Sequence, residues 1–393
     1  MSVVTPTAHS AAAQANAFPI AILCLSRSWG GLELNTGRFA HWMQQRGWPV
    51  QLITLPNSPL AARAAELEIP VVLLRNPWKA LDVPAAGRLA DLLRQCSARV
   101  LLVTRNGDLG LVVLCKTFWL PTLRVVYQQH MQLGLAKRGF VHTLRYRALD
   151  AWLSPLPGLA QQVLAKTRLP ADRLHVVPLG IELEKFTSPS LTQAQAREQL
   201  GITLPPDALL LGLIGRFDDG KGQDFVVNAF AKLHRRYPKL HLLFVGESTL
   251  NEGNDYQDSV LARVKALGLE EVVHVRPFTP CPEVAYRALD IALVASTNET
   301  YGMVTIEAMA TGLPVVASAT GGTLELVADG QTGLLFPLRK RAAFRGAVKR
   351  LLRQPELIAQ LGQQAQAQAT ATYSHHHQCE LTEQILHALV PGK

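Results

Sequence analysis

No apolar run in the 393 residues reaches the ~18–20 that a membrane-spanning helix needs. Residues 1–17 are small and polar with no basic start, and the apolar stretch 18–25 (Phe-Pro-Ile-Ala-Ile-Leu-Cys-Leu) is short for the core of a signal peptide. It reads as a first buried strand after a loose leader. Cysteine is scarce: Cys24, Cys96, Cys115, Cys281 and Cys379 are scattered, odd in number and without metal spacing. That argues against a disulfide framework or a cysteine-held metal, and for ordinary buried thiols in a reducing cytoplasm. No helix-turn-helix, zinc-finger or RNP-type pattern is present, so nucleic acid is not an expected partner. The turn after the first strand lacks the Gly-x-Gly-x-x-Gly dinucleotide fingerprint. No repeat is visible beyond the Gln- and Ala-rich stretch 363–372.

What is present points to a folded α/β protein. The length suits two or three domains, each able to bury a core, and 48% hydrophobic residues with ordinary Gly and Pro exclude a disordered chain. Charge is uneven: residues 1–180 hold nineteen Lys and Arg against eight Asp and Glu, a net +11, while the remainder is −2, consistent with +9 overall. A basic first half suits an anionic surface or acceptor, although basic surfaces are also frequent without consequence.

Strands are expected at 18–25, 50–55, 71–74, 100–104 and 123–127, with helices between them, notably 85–95 and 110–118. Strands alternating with helices of this length mean a parallel, doubly wound sheet. Gly30-Gly31 opens the first helix, where backbone amides could approach a phosphate or sugar closely; a plain tight turn is the other reading. Between Arg124 and Arg147 lie five basic residues and no acidic one, with Phe140 and Tyr146 interleaved. An anionic membrane surface would suit this segment, and so would plain solvent. The run 174–186 ends the first half, with Pro178 and Gly180 stopping its strand.

The second half opens with a strand ending at Gly215. Arg216 and Lys221, five residues apart across a glycine-rich turn, could grip both phosphates of a diphosphate. Helices or strands are expected at 224–236, 240–245, 260–267, 272–275 and 284–289. The run 299–307, Glu-Thr-Tyr-Gly-Met-Val-Thr-Ile-Glu, follows an apolar strand (290–296) and leads into a helix at 303–311; a second strand follows at 313–318. Such a turn lies at the carboxyl end of its strand, where ligands bind, and free amides at the helix start face an anion. Glu299 and Glu307 flanking that helix end suit a ligand anionic in the middle and hydroxyl-rich on both sides. A nucleotide sugar has that shape. His375-His376-His377, being consecutive, reads as structural and not as a metal cluster.

The string from Glu299 through Pro314 to Ser318, the Gly215-Arg216…Lys221-Gly222 run, and the 174–186 segment together resemble the family 4 retaining glycosyltransferases of GT-B fold. The resemblance covers about residues 18–390 and is strongest at 215–222 and 298–330. Thr300-Tyr301 departs from the family's common Gly-Phe, and Ala328-Asp329 precedes Gly330, without touching a carboxylate or cation. The family implies two Rossmann-like parallel-sheet domains facing a central cleft: an acceptor domain over 18–180, a nucleotide-sugar domain over 181–370, and a C-terminal helix over 371–393 crossing back to the first domain. It implies transfer of a sugar from a nucleotide-diphospho-sugar to a carbohydrate or lipid-linked acceptor hydroxyl with retention, the donor phosphate helping to deprotonate the acceptor, and with neither cofactor nor metal. Arg216 and Lys221 would neutralise the leaving diphosphate, Glu299 hold donor-sugar hydroxyls, and His130, after the expected fifth strand, lie against the donor sugar. Gly30, Gly31, Gly215, Thr300, Tyr301, Gly302, Met303 and Val304 would line the donor, Glu307 would take the ribose, and Phe278 would lie at the base. Cell-envelope polysaccharide or lipopolysaccharide synthesis, in the cytoplasm or on the inner face of the membrane, is the expected setting. Two rival readings stand: another GT-B nucleotide-sugar enzyme such as an epimerase, and a non-catalytic nucleotide-sugar-binding module.

Overall fold

The computed structural model describes residues 17–75, 82–188, 191–248, 253 and 255–391. The expected leader, 1–17, thus lies outside the described residues except for Ala17. Contacts divide the chain into two compact units, Met1–Leu179 with His375–Lys393, and Gly180–Ser374.

The first unit is a seven-stranded sheet, β1 (Ile20–Cys24), β2 (Val50–Thr54), β3 (Val71–Leu73), β4 (Val100–Val103), β5 (Arg124–Gln128), β6 (Ala151–Ser154) and β7 (Leu174–Val176). Its order is β3-β2-β1-β4-β5-β6-β7, and every pairing is parallel. The strands are near-continuous apolar runs because helices cover both faces. Alternation sends Ala21, Leu23, Val103 and Tyr127 to one core and Ile22, Cys24, Leu102 and Val126 to the other. Strand β6 was not among the expected strands. Its four residues, Ala-Trp-Leu-Ser, hold no β-branched residue and run straight into Pro155, so they lack the Val and Ile signal of the other strands, yet all are buried and lie between β5 and β7.

Helix α1 (Gly31–Gln45) follows β1 and packs on the second core through Phe39, Ala40, Trp42 and Met43. The last helix, His375–Leu389, packs against α1 in this same unit. Its Glu383 is buried and receives both Nε and Nη2 of Arg46 at 2.7 Å, and the indole N–H of Trp48 at 3.0 Å. His375 lies with its ring 5.0 Å from that of Trp42. Helix α2 (Phe140–Arg147) precedes β6.

The second unit is a six-stranded parallel sheet, β8 (Leu209–Ile214), β9 (Leu240–Val245), β10 (Val273–Arg276), β11 (Ile291–Val294), β12 (Val315–Ser318) and β13 (Gly333–Phe336), in the order β10-β9-β8-β11-β12-β13. Three helices bear on the site: α3 (Gln223–His234), α4 (Pro282–Ala288) and α5 (Met303–Ala310). The helix expected at 260–267 begins earlier, at Asp255, and runs to Ala266. Its first turn is Asp-Tyr-Gln-Asp, which carries no apolar period but sets two acids at the positive helix end. Among the described residues no helix is long and apolar enough to cross a membrane.

Candidate functional site

Each sheet has one place where the strand order reverses, and loops leaving the carboxyl ends of the two strands there diverge to leave a crevice. In the second unit that place is between β8 and β11. The loops concerned are 215–222 and 295–302, and they are tied together: the Thr297 N–H donates to Gly220 O at 2.8 Å. Gly222, before α3, has φ +77° and lies so close to the β11 loop that a Cβ on it would come within 2.5 Å of Ala295 O. Only glycine fits there. The run after β12 closes on the same loop from the other side, for the Gly322 N–H donates to Glu299 O at 2.8 Å. Cβ atoms on Gly321 and Gly322 would meet Glu299 O and Tyr301 O at 2.0 and 2.1 Å. The glutamate-bearing loop is thus held by backbone on both flanks.

At this junction Lys221 Nζ lies 2.8 Å from Glu299 Oε2, although the two are 78 positions apart. The Ser296 hydroxyl donates to the same oxygen at 3.0 Å. Arg216 is the first residue past Gly215; its carbonyl accepts from the Gln223 side chain at 2.7 Å, fixing the loop on α3, while its own side chain is exposed. Thr300 and Tyr301 continue the loop, Tyr301 buried, and Gly302 precedes α5 with φ +107°. Helix α5 has no side-chain cap. Its first turn, starting at Met303 and Val304, therefore presents N–H groups without intrahelical partners at the end of the loop that carries Glu299.

Glu307 sits on the first turns of α5 and is buried. Its Oε2 accepts from the Tyr286 hydroxyl at 3.0 Å, and that hydroxyl also lies 3.2 Å from Val304 O. Burial, then the neighbouring Glu307 carboxylate, pushes the Tyr286 phenol well above its ordinary range, so it stays a donor. Tyr286 carries no motif in the sequence; only the folding of α4 beside α5 reveals it. Phe278 lies just past β10, the edge strand of this sheet, and is exposed.

The remaining expected residues belong to the first unit. There the reversal is between β1 and β4, and Gly30-Gly31 forms the start of α1 after β1. His130 follows β5; burial lowers its imidazole to about 4, so it is neutral near pH 7, and its Nε2 is enclosed without a hydrogen-bond partner. The structure therefore joins Lys221, Glu299, Ser296 and the loop leading into α5 in one cluster, with Glu307 farther along that helix and Tyr286 reaching it from α4, and gathers Gly30, Gly31 and His130 along the carboxyl edge of the other sheet.

Residues 195–368 match the family described as glycosyl transferases group 1, and residues 29–185 match that described as glycosyltransferase family 4. A D-inositol 3-phosphate glycosyltransferase of Actinosynnema mirum is 35% identical over 364 residues, 84% of this chain and 85% of that protein. The chain belongs to the group 1 glycosyltransferases. A protein of the same name from Frankia alni is 37% identical over 196 residues, where the chain spans about half the relative's length, 47%. The glycosyltransferase also shares its fold with solved structures. Anabaena Alr3699/HepE in complex with UDP superposes with a TM-score of 0.83 at 19% identity, covering 94% of this chain and 100% of that one. A glycosyltransferase from Rickettsia africae superposes with a TM-score of 0.86 at 16% identity, covering 96% and 100%. Its two Rossmann-like parallel sheets are those of the GT-B fold.

Proposed function

We propose that this glycosyltransferase moves a sugar from a nucleotide-diphospho-sugar to an acceptor hydroxyl with retention of anomeric configuration. The observation that carries the reading is the Lys221–Glu299 pair at the β8/β11 reversal, beside the uncapped start of α5. Departure of a nucleoside diphosphate builds negative charge on the diphosphate and positive charge at the anomeric carbon. On this reading Lys221, Arg216 and the α5 amides take the first charge, and no divalent ion is assigned. Glu299, once Lys221 turns to the diphosphate, is free to accept from donor-sugar hydroxyls, and Glu307, held by Tyr286, from the ribose. No side chain is assigned as a nucleophile: the donor's own phosphate oxygen, on the face the sugar leaves, takes the proton of the acceptor hydroxyl. His130, neutral and unpartnered, serves as a hydrogen-bonding group toward the donor sugar.

The acceptor belongs, on this reading, to cell-envelope polysaccharide or lipopolysaccharide synthesis at the inner face of the membrane. Support comes from the basic first 180 residues and from apolar side chains left in solvent around α2: Leu135 is 81% exposed and Phe140 82%, beside Lys137, Arg138, Arg145 and Arg147. Basic residues interleaved with exposed apolar ones suit an anionic lipid surface.

The test is calorimetric titration with UDP, GDP and ADP, then a sugar screen on the nucleotide that binds, with the anomeric configuration of product read by NMR. Retained configuration in a transferred glycoside supports the proposal. An inverted glycoside refutes retention, an epimerised nucleotide sugar without an acceptor product points to the epimerase reading, and absence of nucleotide binding refutes the donor assignment.

A further inference from the structure

The first unit contains a buried carboxylate that the donor reading does not use. Glu33, on the first turn of α1, is only 6% exposed. Among the described residues it makes no hydrogen bond or ion pair, and its Oε2 lies 3.5 Å from where a Cβ on Gly30 would stand. The carboxylate is therefore folded back against the Gly30-Gly31 turn, at the β1/β4 reversal where the sheet opens its crevice.

What surrounds it is a polar layer in an otherwise apolar sheet. Leu23 pairs with Val103, and Val103 with Tyr127, so the next rung sets Cys24, Thr104 and Gln128 side by side on the α1 face. Thr36, one turn beyond Glu33 on the same face of α1, shares a 3.0 Å hydrogen bond with Thr104. Gln128 is 2% exposed, and neither its Nε2 nor its Oε1 has a partner; His130 Nε2, two residues on, is likewise enclosed and unpartnered. Buried polar groups are normally hydrogen-bonded, and leaving one unmade is costly. With His130 given to the donor sugar, the two orphaned atoms of Gln128 mark a place at this sheet end shaped for a hydroxyl-bearing ligand or its ordered water. An unpaired carboxylate at its rim fixes the ligand's chemistry: it accepts hydrogen bonds from hydroxyls and repels anions.

We propose that Glu33 recognises the acceptor, accepting hydrogen bonds from vicinal hydroxyls of an uncharged sugar or polyol and turning away one that bears a phosphate beside the reacting hydroxyl. Gln128 stands behind it as a positioning residue that orders the same hydroxyls or a bridging water. The inference rests on the glycosyl-transfer reading. It also separates this chain's expected acceptor from that in the name of its D-inositol 3-phosphate glycosyltransferase relatives.

The experiment uses the full chain and the donor found by titration. Acceptors are offered in pairs: glucose and glucose 6-phosphate, mannose and mannose 6-phosphate, myo-inositol and D-inositol 3-phosphate. Transfer, donor hydrolysis without acceptor, and saturation-transfer NMR contact are measured for wild type, Glu33→Gln and Gln128→Leu. The neutral member of at least one pair should contact the wild type and be preferred. Glu33→Gln should lower that preference at least tenfold through acceptor KM, with donor hydrolysis and nucleotide affinity within twofold of wild type, and Gln128→Leu should raise acceptor KM with a smaller change in charge preference. Wild-type preference for the phosphorylated members, contact with no neutral member, or an unchanged neutral-to-phosphate ratio in Glu33→Gln would overturn the inference. Loss of nucleotide binding in the wild type would instead strike the donor reading, which the hydrolysis and titration arms report separately.

Discussion

Lys221 is held by Glu299, so a diphosphate must compete with a carboxylate for the ammonium. At 2.8 Å the attraction between unit charges is about 1.5 kcal/mol in bulk water and about 6 kcal/mol at an effective dielectric near 20. The side chains are 25% and 13% exposed, which puts the pair between these limits. Desolvation of both partners offsets most of the gross attraction. A net ~1.4 kcal/mol is a reasonable central figure, equivalent to about tenfold in affinity. Glu299→Gln removes the competing charge while keeping the shape and an acceptor for Ser296. The variant is therefore expected to bind the nucleoside diphosphate about tenfold more tightly than wild type, yet to transfer sugar at least a hundredfold more slowly, because the sugar's hydroxyls lose their charged acceptor. Lys221→Met should move diphosphate affinity the other way, about tenfold weaker. Isothermal titration with the nucleoside diphosphate and a steady-state transfer assay read the two signs independently. If Glu299→Gln weakens diphosphate binding in step with Lys221→Met, the pair is not in competition with the ligand and the reasoning fails.

Tyr286→Phe removes the donor to buried Glu307 and should destabilise the protein by about 1–3 kcal/mol in denaturant titration, with weaker nucleotide affinity as its functional sign. Gly222→Ala forces a Cβ against Ala295 O in a left-handed backbone position and should lower Tm by several degrees, on the order of 1–3 kcal/mol of strain. His130, held at about 4 against 6.5 in the unfolded chain, binds fewer protons when folded, so its neutrality stabilises least at low pH. Stability should fall as pH drops from about 6.5 to 4, by up to about 3 kcal/mol from this group, and His130→Gln should flatten that slope relative to wild type. Replacing Leu135 and Phe140 together by serine should reduce sedimentation with phosphatidylglycerol vesicles while leaving transfer to a water-soluble acceptor unchanged.

The alternation of apolar runs with helical stretches made the two parallel sheets legible, because strands buried on both faces must be written almost wholly in Val, Leu, Ile and Ala. Strand β6 escaped because Ala-Trp-Leu-Ser holds no β-branched residue and is followed at once by Pro155. Arg216, Lys221, Glu299 and Glu307 stood out through local strings, but the contact between Lys221 and Glu299 is a matter of which strands become neighbours, and sheet order is not written in either string. Tyr286 and Glu33 show the limit more sharply. Each is an unremarked residue on a helix, and its meaning comes from a partner brought up by packing, or, for Glu33, from the lack of one.

The chain leaves the first unit near Leu179 and returns to it at His375, and the outgoing and incoming segments pair, with the Ile181 N–H donating to Tyr373 O at 2.9 Å. Residues 180–374 are thus a piece with adjoining ends, suited to being produced alone, whereas a fragment stopping at 179 would strand Arg46 and Trp48 without Glu383 and strip the cover from α1. Synthesis from the ribosome meets the same asymmetry: the half that emerges first must wait for the final fifteen-residue helix, His375–Leu389, before its own core is closed.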